Sequence, residues 1–168
     1  MKIDEAKQKF IQTWGALGSS WGVNRTMASI HALLLISPEP MSADQVMETL
    51  QISRGNANMN LRALIDWGLV HRDLVPGERK EFFIAEKDIW KVARQVMKER
   101  RKREIEPLMN ALEEFKNVEG DKREKEVKEF VSVITEIEGV VTKADKTMQT
   151  VIKMDEHWFV GTFMKLMK

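Results

Sequence analysis

Two short capped helices joined by about three residues, a β-prone hairpin directly behind them, and long amphipathic helices on either side predict the fold class. The chain reads as mainly α with a small β-wing: a winged helix-turn-helix flanked by N- and C-terminal dimerisation helices. The expected division is residues 1–22 as an N-terminal dimerisation helix, 23–85 as the winged helix-turn-helix, and 86–168 as a long-helix C-terminal dimerisation region.

Each element follows from a local signal. Ile3, Ala6, Phe10, Trp14, Leu17 and Trp21 recur at spacings of 3 and 4, one apolar stripe on a helix that Gly22 ends. Asn24 is placed to cap the next helix, "RTMASIHALLLIS", whose apolar end predicts burial. "SPEPMS" stops it, since two prolines in three residues cannot continue a helix. Ser42 and Gln45 then form a capping box, with Met41 and Val46 spaced as a hydrophobic staple. That helix reaches about Leu50, and Ser53 can cap the one after it.

Beyond Gly68 the period changes from helical to alternating. "LVHRDLV" and "EFFIA" are β-prone runs around "PGERK", with Pro76-Gly77 as turn formers. From Glu86 the pattern is helical again, with a break expected at Pro107. "NVEGD" interrupts the next stripe, and a last helix carries Val127, Phe130, Val131, Ile134, Ile137 and Val141.

The stretch "SRGNANMNLRALIDWGLV" is the most informative. On a helical wheel Ala57, Leu61, Leu64 and Ile65 face a core. Gly55, Asn56, Met59 and Arg62 point the other way, with Asn58 and Asn60 on the flanks. A face chosen only for solvation would use Glu and Lys, which form helices better. Asparagine can instead meet adenine bidentately in the major groove, and arginine guanine. Gly55 lets backbone approach closely, and the exposed amides of the first turn suit a phosphate. Arg54 lies on the core-side edge, placed for a phosphate. Arg79 and Lys80 at the hairpin tip suit the minor groove or backbone, and Arg72 in the strand could serve DNA or solvent. The candidate DNA contacts are therefore Ser53, Arg54, Gly55, Asn56, Asn58, Asn60, Arg62, Arg72, Arg79 and Lys80.

These residues resemble the MarR family of winged-helix transcriptional regulators. "SRGN" followed by "MNLRALIDWGLV" and "VPGERKEFF" is similar to its GbsR-type branch. The resemblance implies a homodimer with interlocking terminal helices, whose two lobes read a pseudo-palindromic operator in double-stranded DNA. It places the helix at 53–67 in the major groove and the hairpin at 69–85 as wing. By carry-over, Ser53, Arg54, Asn56, Asn58 and Arg62 would be recognition-helix contacts, and Arg79 and Lys80 wing contacts.

Charge alone gives no such indication. The net formal charge is +1, and residues 37–85 hold five basic and seven acidic side chains. Seven basic residues against one acid lie between Lys91 and Arg103, a run whose role the sequence leaves open. Apolar stripes larger than a winged helix can cover predict dimerisation, against the alternative of a closed helical subdomain within one chain. Trp14, Trp21 and Trp158 are candidates for a small-molecule effector site through their aromatic faces, against a default of core packing. No apolar run reaches membrane-spanning length, and a cytoplasmic location is expected. Without cysteine, and with His31, His71 and His157 isolated, no metal, cofactor or enzymatic activity is expected. The competing reading is a winged-helix protein-interaction scaffold that does not bind DNA.

Overall fold

The computed structural model describes residues 1–20, 22–119 and 124–154. The chain divides into two compact units, Met1–Val92 and Ala93–Lys168.

In the first unit α1 (Ile3–Ser20), α2 (Arg25–Ile36), α3 (Ala43–Leu50) and α4 (Arg54–Asp66) are combined with β1 (Met41–Ser42), β2 (Val70–Asp73) and β3 (Phe82–Ala85). The three strands form one antiparallel sheet in the order β1-β3-β2, with Met41 opposite Phe83 and Val70 opposite Ala85. The hairpin is as expected, but β1 is an addition: Met41, read as a staple residue, and Ser42, read as a cap, also give the wing a third strand. The caps form as the sequence predicts. Asn24 Oδ1 accepts from the Thr26 and Met27 amides at 2.9 and 3.1 Å. Ser42 and Gln45 complete their reciprocal box at 3.3 and 2.8 Å.

Helix α2 is the core element, with Ile30, Leu34 and their neighbours buried against α1, α4 and β3. Val46, Leu61, Leu64 and Val70 supply the other large fully buried side chains. The carbonyl end of α2 is closed from far along the chain. Lys87 Nζ donates to the carbonyls of Leu34, Leu35 and Ser37 at 2.8, 2.8 and 2.6 Å. A cation at a helix C-terminus satisfies orphan carbonyls and meets the negative end of the helix dipole.

Helices α1 and α2 cross with almost no space between their backbones. A Cβ on Gly18 would sit 2.5 Å from that of Ala28, and one on Gly15 would collide with the Ser29 hydroxyl. Gly18→Ala should therefore lose stability. Overpacking costs about 1–3 kcal/mol, against about 1 kcal/mol gained in helix propensity. A thermal melt reads the balance, and a Tm at or above that of the parent would contradict the close crossing.

The second unit contains most of α5 (Ile89–Arg100), a π-helical turn at Arg101–Ile105, α6 (Glu106–Lys116) and α7 (Lys125–Lys153). The break expected at Pro107 takes the form of that turn. Proline has no amide for the carbonyl four residues back and its ring collides with it, so the widened turn accommodates both. Inside the turn, Arg101 grips the buried Asp145 of α7 through Nε–Oδ1 at 2.6 Å and Nη2–Oδ2 at 3.3 Å. Gln149 donates to the same carboxylate at 2.6 Å. These bonds, the arginine's first, hold the Asp145 carboxyl below the usual carboxylate range. Lys116 pairs with Glu138 at 2.7 Å between α6 and α7. One face of α7 stays open, with Phe130, Val133, Ile137 and Val140 all more than 40% exposed.

Candidate nucleic-acid interface

Ser53, in extended conformation at φ −69° and ψ 156°, accepts the Asn56 amide on its hydroxyl at 3.3 Å and starts α4. The preceding Gln51 takes left-handed φ 52° to end α3, which sharpens the turn between the two helices. Ala57, Leu61 and Leu64 anchor α4 in the core. Gly55, Asn58, Met59 and Arg62 are exposed, and a Cβ on Gly55 would meet open space.

The asparagines divide into different roles. Asn58 is exposed as expected. Asn60, expected on a flank of the outward face, is a correction: it is buried at 3% exposure. Its Nδ2 donates to the Asn56 carbonyl and to Asn56 Oδ1 at 2.8 and 2.7 Å. A buried carboxamide needs such partners, and here they lie one turn back on the same helix. Asn60 thus orients the half-buried Asn56 instead of offering its own amide to a ligand.

In the wing, Val75–Glu78 form a tight turn with Pro76 and Gly77 at its centre. Gly77 has φ 88°, and the Glu78 amide donates to the Val75 carbonyl at 3.1 Å. Proline followed by a glycine at positive φ is the type II arrangement. Arg79 projects from it exposed, and neither Arg79 nor Arg62 has an ion-pair partner among the described residues.

The remaining cations are paired. Arg54 Nη2 lies 3.3 Å from Asp44 Oδ1, and Lys80 Nζ lies 3.1 Å from Asp44 Oδ2. Arg54 therefore points toward α3 and the wing tip. Arg72 Nε lies 3.5 Å from Glu81 Oε1. A groove of about 250 Å³ separates α4 from the wing strands, and Asn58, Arg62, Arg72 and Glu81 share its lining. The fold thus brings Asn58, Arg62 and Arg72 to one groove, and Arg54 and Lys80 to one carboxylate. Asp44 and Glu81 were absent from the sequence-based candidates. Asp44 signals only an acid in the first turn of a helix, and its position between two cations requires the tertiary fold.

The basic run is compensated in part within each unit. Lys91 lies 3.6 Å from Asp88, Arg103 3.2 Å from Glu99, and Arg101 is held by Asp145 and Glu106. Trp14 is half-buried, its ring 5.4 Å from Phe10 and 6.4 Å from His31. Trp21 and Trp158 lie outside the described residues, as does the apolar tail from residue 155. No group of metal-binding side chains and no membrane-spanning helix occurs among the described residues.

No family model matches the chain. Its sequence is 26% identical over 112 residues to the HTH-type transcriptional repressor GbsR of Bacillus subtilis (strain 168), a match covering 67% of this chain and 62% of that protein. The aligned region is thus less than two thirds of that relative's length. A solved crystal structure of a transcriptional regulator superposes with a TM-score of 0.57 at 20% identity, covering 86% of this chain and 99% of the other. The mainly helical architecture with a three-stranded antiparallel sheet is the winged-helix fold of such regulators.

Proposed function

We propose, on the premise of a winged-helix chain similar to GbsR, that this protein is a dimeric, sequence-specific DNA-binding transcriptional regulator. The observation that carries the reading is the outward face of α4, where Gly55, Asn58 and Arg62 stand exposed beside a capped N-terminus. Helix α4 enters the major groove, its asparagine and arginine side chains meet base edges, and its first-turn amides meet a phosphate. The wing lays Arg79 and Lys80 along the backbone. Two such lobes read a pseudo-palindromic operator.

The open face of α7 supports self-association. Phe130, Val133, Ile137 and Val140 follow 3-4-3 spacing, the seam of a helix that packs on another. A second copy covering these faces would explain why so much apolar surface is open on one chain. Light scattering is expected to return twice the 19.5 kDa chain mass, and a stable monomer would remove the two-lobed arrangement.

Selection from random duplex DNA tests the central claim. The protein should enrich an inverted repeat with half-site centres about one helical turn apart. Failure to enrich any motif at low salt would favour a scaffold that docks a protein partner. Such a partner surface would expose aromatic or leucine side chains, whereas α4 offers asparagine, arginine and a single exposed Met59.

A further inference from the structure

Residues 37–85 carry five Lys and Arg against seven Asp and Glu, a local balance of 5 − 7 = −2 on the region that presents α4 and the wing. Two of these acids sit among the cations of that surface. Asp44 spends one oxygen on Arg54 of α4 and the other on Lys80 of the wing, at 3.3 and 3.1 Å. Glu81 faces Arg72 at 3.5 Å. Three of the five cations therefore carry an internal counter-anion.

Helix geometry accounts for part of this. An acid in the first turn of α3 favours the positive end of its dipole. That preference does not explain why both Asp44 oxygens face cations from two other elements. A structural clamp between α4 and the wing is a weak account as well. The side chains of Arg54, Lys80, Arg72 and Glu81 are each more than half exposed, and that of Asp44 is 40% exposed. Exposed single ion pairs hold little. What such a carboxylate also does is repel a phosphate approaching the cation beside it.

We infer that Asp44 and Glu81 are built-in counter-anions that restrain the attraction of this surface for any DNA backbone, leaving base contacts to decide which site is occupied. The inference rests on the DNA-binding reading above. Each carboxylate partly neutralises a cation that would otherwise release a counterion on meeting a phosphate. The number of such releases sets the salt dependence of binding. Removing one acid therefore acts on every duplex alike, whatever its sequence.

The test uses the full chain and the near-isosteric variants Asp44→Asn, Glu81→Gln and the double variant, each checked for folding by thermal melt. Affinity is measured for the selected duplex and a scrambled one across several salt concentrations. Each single variant should bind both duplexes about threefold or more tighter at low salt. Its plot of log K against log salt should steepen by about one unit, and the double variant by about two. Weaker binding to both duplexes would show a clamp and overturn the inference, as would unchanged affinity and slope in variants of a protein that does bind. No binding by the parent and the double variant at low salt would overturn the DNA reading, and this inference with it.

Discussion

Alanine at Arg62 should cost about 1–3 kcal/mol on the preferred operator and relax the preference at one base position. Asn58→Ala should behave the same way. Both side chains stand exposed at the groove beside the wing strands, where a base edge would meet them. Arg79→Ala should leave another fingerprint. A phosphate contact carries no sequence information, so its loss weakens all duplexes equally and flattens the salt slope by about one unit. Asn60→Ala belongs to neither group, because its amide is committed to Asn56. It should act through the orientation of Asn56, with a cost in stability besides. One titration series on the selected and scrambled duplexes separates these cases. Equal losses on both duplexes for Arg62 and Asn58 would mean that α4 only rests on the backbone.

A second large effect is expected with acid. His31 is buried on α2, its Nε2 has no hydrogen-bond partner among the described residues, and its pKa is lowered to about 4. Burial is the main cause, and the charge of Lys87 adds to it. The folded imidazole thus stays neutral while the unfolded one takes up a proton below about pH 6.5. Between these values the unfolded state binds more protons, so stability falls as pH falls. From pH 7 to 5 the loss should reach about 2 kcal/mol, before most carboxylates titrate. Urea denaturation followed by circular dichroism should show this slope in the parent, and His31→Leu should flatten it. The variant's absolute stability is secondary, since leucine also repacks the site. Parallel pH profiles for the two proteins would refute the assignment to His31.

What was legible in the sequence was local. The caps at Asn24, Ser42 and Ser53 need only a side chain and an amide two or three residues on, and all three form. The hairpin turn at Pro76-Gly77 depends on two backbone preferences, and it forms as well. The misses are non-local. Strand β1 is two residues long and exists only because β3 runs beside it. Asn60 is indistinguishable from Asn58 on a wheel, and only the packing around α4 buries one and exposes the other. The partners of Arg54, Lys80 and Arg72 were hidden for a related reason. Asp44 is distant in sequence from Lys80, while Glu81 meets Arg72 only when the hairpin closes.

The three carbonyls collected by Lys87 bear on how the first unit assembles. These bonds close loops of 50 to 53 residues, so α2 cannot complete its C-terminal end until the chain has run through both helices of the helix-turn-helix and the whole hairpin. Loop closure of that length carries an entropic cost that only the finished fold repays. The wing is therefore not an appendage laid on a self-sufficient helical module. A fragment ending at Gly68 would lack the β3 strand against β1 and the cation at α2, and its helices should lose cooperative unfolding. Helix α4 and the wing are obliged to fold, and to fail, together.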